Sequence, residues 1–414
     1  MAQILFLTQV LPYPLNTGAK IRAYYVLRHL AKRHDVTLVS FVREDDDPGF
    51  VEHLETFCRA VHPVPMKRSP WRDLRASALA GLTGRSVIIL RDRIGEMRAT
   101  VKRLVGAERF AVVHADQTAM VQYALLARAR ARGEPRIVLD AHNALYRVPR
   151  RMARHESNPI KRLLLKREAR ALARYEADAY RRFDQVVFVT EQDRQALAAL
   201  AALTAQSNGA DPGKALDASV IPICVDPDTK PLVQRVGSPE AVTHLGTMFW
   251  PPNVEGTLWF ACQVFPRVLE QAPDARLLVV GKDPPREVRA LPMRVRSVQV
   301  TGYVPDPKPY LAETAVFIVP LRAGGGMRVK IVDAWCWGVP IVATSIGAEG
   351  IDLRDEENIL IADEPQAMAD AVVRVLRDPA LGRRLRQNGR RWVEERYHWR
   401  RVYPRWDEVY EKLI

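Results

Sequence analysis

Gly324, Gly325 and Gly326, followed by Arg328, Lys330 and Asp333, carry the most legible chemistry in this chain. An apolar run leads into them and the strand-like stretch 339–344 comes after, so the segment reads as strand, glycine turn, helix near 327–337, strand. Consecutive glycines let a backbone approach a ligand with no Cβ in the way, and the following helix aims its N-terminal amides at the gap. Such a turn suits an anion. Arg328 and Lys330 fall in the first helical turn of this reading, where the helix dipole disfavours cations, so a negative group nearby would explain them. Asp333, about one turn further on, offers a carboxylate that can accept from two ribose hydroxyls. Phosphate plus ribose is a nucleotide; the plainer alternative is a βα turn with two solvated cations.

A second loop of interest follows the first apolar segment. Pro12, Pro14, Asn16, Thr17 and Gly18 make a turn with two prolines, an N-cap candidate in Asn16 or Thr17, and Gly18 at a helix entrance. A GxGxxG fingerprint is absent there, which argues against a nicotinamide or flavin enzyme. His114 and His142 each end a strand-like run, with Asp116 and Asp140 close by in sequence, as a site or as loop hydrogen-bonders. The acidic run 44–47 reads as a solvated loop rather than a metal-bridging carboxylate pair. The diphosphate of such a nucleotide would be met by the 324–326 amides, Arg328 and Lys330, so neither a metal nor a tightly bound cofactor is expected.

Parallel α/β sheets are the elements that would position these residues. Strands are expected near 3–8, 35–41, 111–114, 136–140, 185–190 and 218–222, with helices at 19–32, 118–131, 159–182 and 191–201 among them. A second series has strands near 241–245, 276–281, 297–301, 315–319, 340–344 and 358–361, with helices near 253–270, 306–313, 327–337, 364–376 and 379–396. The turn-rich 206–213 and the proline-rich 222–239 interrupt the pattern. The expectation is two doubly wound Rossmann-like domains, 1–222 and 223–396, facing across a cleft, with a helix at 397–414 returning to the first.

Composition narrows the partners. The chain has 414 residues, 48% hydrophobic and 27% charged, with a formal net charge of +14, which favours an anionic partner. No apolar run approaches the length of a membrane helix, and the start reads as a first strand rather than a signal peptide. Cys58, Cys224, Cys262 and Cys336 show no metal or disulfide spacing, which points to a reducing, cytoplasmic setting. Arginine and lysine crowd 147–182 and 67–75 between apolar residues, a pattern suited to the inner face of an anionic membrane, or simply to a solvated surface. Sparse aromatic interleaving argues against nucleic acid.

Several pieces together carry a resemblance: the opening 5–19 with His34-Asp35-Val36, Val113-His114-Ala115-Asp116, Asp140-Ala141-His142-Asn143, Thr190-Glu191-Gln192-Asp193, Gly246, Val279-Val280-Gly281, Thr301-Gly302-Tyr303-Val304 and 324–340. Over nearly its whole length the chain resembles the two-domain GT-B glycosyltransferases, most of all family four, and 246–253 with the glycine run resembles an exopolysaccharide-associated branch. The resemblance implies a retaining, nucleotide-sugar-dependent hexosyltransferase, using a UDP- or GDP-sugar and a glycan or lipid-linked acceptor in cell-surface polysaccharide or glycolipid assembly. It implies that Gly18 approaches the donor, His142 contacts the donor sugar, Gly302 and Val304 flank the base, and Asp333 holds the ribose. The absence of His, Asp and Glu from 9–18 also favours retention over inversion by a general base. This chain departs from the family at three places. Gly325 stands where a sugar-contacting glutamate is usual, Asp333 where the ribose carboxylate is usually glutamate, and 246–255 lacks the usual cations, whose work Arg328 and Lys330 would take over. A nucleotide-sugar epimerase of this fold and a non-catalytic nucleotide binder are the rival readings.

Overall fold

The computed structural model describes the chain except residues 45, 68, 208–217, 235–239 and 249, and only the backbone of 155 and 203–207. Part of the turn-rich 206–213, of the proline-rich 222–239 and of the acidic and basic runs thus lies outside the described residues. The chain divides into two compact units, Met1–Cys224 with Val402–Ile414, and Val225–Arg401.

The first unit is built on β1 (Gln3–Thr8), β2 (Asp35–Val42), β3 (Ala60–Pro65), β4 (Val112–Asp116), β5 (Arg136–Ala141), β6 (Gln185–Phe188) and β7 (Ala218–Val220). They form one sheet in the order β3-β2-β1-β4-β5-β6-β7, every pair parallel. Ile4, Leu5, Phe6 and Leu7 are wholly buried, because helices cover both faces and an unbroken apolar run is what such a strand requires. β3 was not expected from the sequence. It contains Pro63 and Pro65, which break a central strand but are tolerated at the edge that β3 occupies.

Among the helices of this unit, α1 (Gly18–Leu30) follows β1, α2 (Pro70–Thr83) and α3 (Val87–Arg91) follow β3, and α4 (Pro159–Arg182) precedes β6. The expected helix over 118–131 starts with a 3-10 turn, Thr118–Met120, before the α-helix Val121–Arg130.

The second unit has β8 (Ala241–Leu245), β9 (Arg276–Val280), β10 (Val298–Gly302), β11 (Thr314–Val319), β12 (Ile341–Ala343) and β13 (Leu360–Ile361), in the order β10-β9-β8-β11-β12-β13, again parallel throughout. The helix expected at 253–270 begins earlier as α5 (Pro251–Trp259) and is interrupted by a π-helical segment, Phe260–Val264. The helix expected from 327 is α6 (Val329–Trp337), so Arg328 precedes it instead of lying in its first turn. It stops at Gly338, whose φ of 67° is the left-handed conformation that ends helices.

The single helix expected at 397–414 is two short ones, Trp399–Val402 and α7 (Arg405–Glu411). Tyr397–Arg401 stays with the second unit: Val225 N donates to Tyr397 O at 2.9 Å, and Trp399 Nε1 to Asp226 at 3.0 Å. α7 belongs to the first unit, where Trp406 is wholly buried beside His114. No helix among the described residues is long and apolar enough to cross a membrane.

Candidate functional site

Each sheet reverses its strand order at one place, between β1 and β4 in the first unit and between β8 and β11 in the second. Loops diverge there at the carboxyl edge, which is where doubly wound sheets bind ligands. Gly18, His142, Gly302, Gly324, Gly325, Gly326, Arg328, Lys330 and Asp333 lie on or next to loops at one of these edges or on the helices that follow them.

In the first unit the loop after β1 ends in Thr17, which caps α1 by accepting from Lys20 N at 3.4 Å and settles the Asn16 or Thr17 alternative; Gly18 is the first residue of the helix. One turn on, Arg22 is wholly buried. Its Nε and Nη2 each lie 2.9 Å from an Asp140 oxygen, and Nη1 donates to the carbonyls of Ile221 and Pro222 at 2.7 Å. Asp140 and Asp116 are register partners on β5 and β4, so parallel pairing puts two carboxylates side by side. His142 Nε2 lies 2.8 Å from Asp116 and 3.7 Å from Asp140. Burial opposes the charge on His142, but Asp116 and then Asp140 outweigh it and lift its pKa to about 9. Burial likewise opposes the charge on Asp140, yet Arg22 and His142 hold it well below the usual carboxylate range. Two cations and two anions balance, and His142 is an imidazolium at neutral pH.

Asp116, Asp140 and His142 also offer ligand atoms within 4.8 Å of one another. The Arg22 fork covers both Asp140 oxygens, so the set acts as a charge-balanced network. A second such group, Asp226, Asp228 and His398, is engaged by Trp399 and Arg400. His114 turns out differently from His142. It stacks on Phe6 at 4.1 Å, its Nδ1 lies 2.8 Å from Tyr410 Oη, and burial lowers its pKa to about 3, which makes it a neutral core residue.

In the second unit glycines line the carboxyl edge. Gly281 N donates to Gly302 O at 3.0 Å, and a Cβ on Gly281 would lie 1.8 Å from Gly246 O, so only glycine fits. Val304 packs on the small cluster of Ala241, Leu278 and Val280 next to this edge. The glycine loop follows β11. Gly324 has a φ of 139° and Gly326 one of 74°, and a Cβ on Gly324 would meet Arg328 Nη2 at 2.5 Å.

Arg328 is 5% exposed and does not point outward as a surface cation. Its Nη1 donates to Gly325 O at 2.5 Å and Gly326 O at 3.1 Å, and its guanidinium lies 5.8 Å from the Trp250 ring centre. In a planar trans peptide the N–H opposes the C=O, so turning those carbonyls towards Arg328 turns the amides of Gly326 and Met327 the other way. Arg328 thereby fixes the amides that would meet an anion.

Lys330 is brought to the end of β8. Its Nζ donates to Asn253 Oδ1 at 3.0 Å, Asn253 Nδ2 donates to Thr247 O at 2.8 Å, and a Cβ on Gly246 would lie only 2.7 Å from Nζ. Burial, and then the nearby Arg328, lower the Lys330 pKa to about 7. Asp333 is ion-paired with Lys230, whose ammonium also lies 5.7 Å from the Trp337 ring centre.

Sequence reasoning missed Arg22, Asn253, Lys230 and Glu176. Glu176 is buried, accepts from Leu145 N at 2.8 Å and Tyr146 N at 3.0 Å, and so holds the loop that follows His142; burial raises its pKa to about 8. Only Glu176 left a sequence signal, as a carboxylate on the otherwise buried stripe of Leu172, Ala179 and Tyr180.

A model of the glycosyl transferase 4-like domain matches residues 17–207, and one of the glycosyl transferases group 1 matches 239–378. A 44.6 kDa protein in the cps region of Klebsiella pneumoniae is 22% identical over 97% of this chain and 98% of its own length. The phosphatidyl-myo-inositol mannosyltransferase of Mycobacterium leprae is 31% identical over 36% of this chain and 41% of its own. Anabaena Alr3699/HepE, solved in complex with UDP-glucose, shares the fold with a TM-score of 0.67 and 17% identity over the full length of both chains.

Proposed function

This chain belongs to the glycosyltransferases of the GT-B fold, 4-like in its first domain and group 1 in its second, and from that premise we propose the reaction. It moves a sugar from a nucleoside-diphosphate sugar to a glycan or lipid-linked acceptor, with retention at the anomeric carbon, in cell-surface polysaccharide or glycolipid assembly at the cytoplasmic face of a membrane. The single observation that carries the donor assignment is the Lys330 ammonium lying over Gly246 at the β8/β11 switch point, on the helix that follows the glycine loop. The usual cations are missing from the loop after β8, and α6 returns one to the same spot.

Lys330 and the amides of Gly326 and Met327 in the glycine loop would bind the diphosphate, with Arg328 acting on the loop from behind. Asp333 would take the ribose, sharing its carboxylate with Lys230. Gly302 and Val304 would flank the base, and Gly18 and His142 would approach the sugar. Uracil is the favoured base, because Alr3699/HepE is described with UDP and with UDP-glucose. These cations and amides supply the charge that a metal would otherwise bring, so binding should be independent of magnesium. The cytoplasmic setting is supported by four free cysteines.

In the transfer step the C1–O bond to the β-phosphate breaks and the acceptor oxygen bonds to C1 on the same face. The acceptor proton passes to the departing phosphate oxygen. His142 is already protonated through Asp116, so it would orient the sugar by hydrogen bonding rather than act as base. Thermal unfolding with UDP, GDP, ADP, CDP and their sugars, with and without magnesium, tests the reading. Stabilisation by one diphosphate irrespective of metal supports it, and no response to any of them refutes the donor site. Donor binding with neither hydrolysis nor transfer would instead favour a non-catalytic binder, the rival reading that rests on Gly325 in place of the usual glutamate.

A further inference from the structure

Helix α2 shows its apolar residues to the wrong side for a domain-packing helix. At about 3.6 residues per turn, positions 71, 74, 78 and 82 share one face and 76 and 80 lie opposite. The domain buries Ala76 and Ala80, so the apolar face looks away from it, leaving Trp71 76% and Leu82 87% exposed, with Leu74 also exposed. The start of α4 repeats the pattern, with Ile160, Leu163 and Leu164 exposed on its first two turns. The two helices are tied together. Arg167 of α4 donates to Ala80 O, and Glu168 accepts from Ser86 Oγ at 2.5 Å and from Val87 N at 3.0 Å, at the start of α3.

A cavity of about 620 Å³ begins where α2 ends, at Thr83 and Gly84, and runs along α4. Arg85, Arg93, Arg98, Arg174 and Arg182 line it. Its apolar wall includes Ile89, Leu125 and Leu126. Asp178 is the one carboxylate among the described residues of the wall, and Arg182 already pairs with it at 3.4 Å. An apolar surface beside an arginine-lined, apolar-walled cavity has the polarity of an anionic amphiphile: alkyl chains against the leucines and a phosphate among the guanidiniums.

We propose that α2, the first two turns of α4 and the arginine-lined cavity form a docking surface for an anionic phospholipid bilayer, with a lipid phosphate entering the cavity. Charge complementarity selects this occupant. Lys67, Arg75, Lys161, Arg162 and Lys166 are exposed around the apolar residues, and such cations draw a basic surface to anionic lipid while apolar side chains insert below the headgroups. The surface is argued from these residues alone and rests on the proposed lipid-linked acceptor only for its purpose.

Flotation of the full-length protein with vesicles of phosphatidylcholine alone, or with phosphatidylglycerol added, tests it. The wild type should float with the anionic vesicles only, and less as salt is raised. Leu82→Glu and Trp71→Glu change exposed side chains and should keep the unfolding temperature while each lowering the partition coefficient about tenfold. Arg85→Glu with Arg174→Glu should also lower it and flatten the salt dependence. Absence of flotation, or equal flotation of the variants, would overturn the proposal. So would light scattering that finds a wild-type dimer split by Leu82→Glu, since a second copy would then be the occupant. Nucleotide stabilisation measured without lipid reports on the donor reading separately, so the two can fail independently.

Discussion

Removing or replacing Lys330 gives the sharpest test of the donor site, because its effect has a sign and a size. In the free protein burial and Arg328 lower the ammonium to a pKa of about 7, well under the ordinary lysine value. A bound diphosphate beside Nζ would hold it charged, so binding above neutrality must take up a proton. With a free pKa of about 7 and an ordinary one in the complex, uptake is about 0.9 proton at about pH 8 and about 0.1 at about pH 6. The linked affinity falls about fiftyfold between about pH 7 and about pH 9. Calorimetric titration with the stabilising nucleoside diphosphate, in two buffers of different ionisation enthalpy, reads the proton directly. Lys330→Met should bind weakly at every pH with no proton uptake. Uptake near zero in the wild type, or equal affinity for Lys330→Met, would refute the reasoning.

The other outcomes follow from the same networks. Arg22→Met leaves Asp140 buried without its fork and should cost about 3–5 kcal/mol in denaturant unfolding. The folded His142 pKa of about 9 lies above its unfolded value, so its stabilisation is complete below about pH 6.5 and lost as pH rises towards 9; the stability gap between wild type and His142→Gln should close over that window in thermal unfolding. Glu176 has a folded pKa raised to about 8, so its contribution falls as pH rises from the ordinary glutamate value through 8, and Glu176→Gln should gain relative stability across the same range. Gly324→Ala sets a Cβ against Arg328 at a φ of 139°, and should weaken nucleotide binding at least about tenfold by calorimetry while the first unit's unfolding is unchanged.

Local pattern made the sheets legible in the sequence and hid what the sheets bring together. Short unbroken apolar runs such as 4–7 and 315–319 suit buried parallel strands, and the glycine loop announces its own backbone requirement. β3 was illegible because proline's cost depends on whether a strand lies at an edge, which is a property of the sheet and not of the segment. The same limit governed the cations. From spacing alone Arg328 and Lys330 look equivalent, two first-turn cations waiting for an anion. A start at Val329 makes them different: Arg328, outside the helix, folds back on its own loop carbonyls, while Lys330, inside it, is carried across to Gly246. Arg22 shows the converse: nothing beside it in the sequence marks it, and it proves to be the buried counter-ion of a carboxylate 118 positions away. A charged residue's neighbours in sequence say that it needs a partner, and only the strand order says which partner it finds. For this chain that order puts Lys330, whose pKa is depressed, at the switch point of the second sheet, where charge that appears with the ligand has most effect.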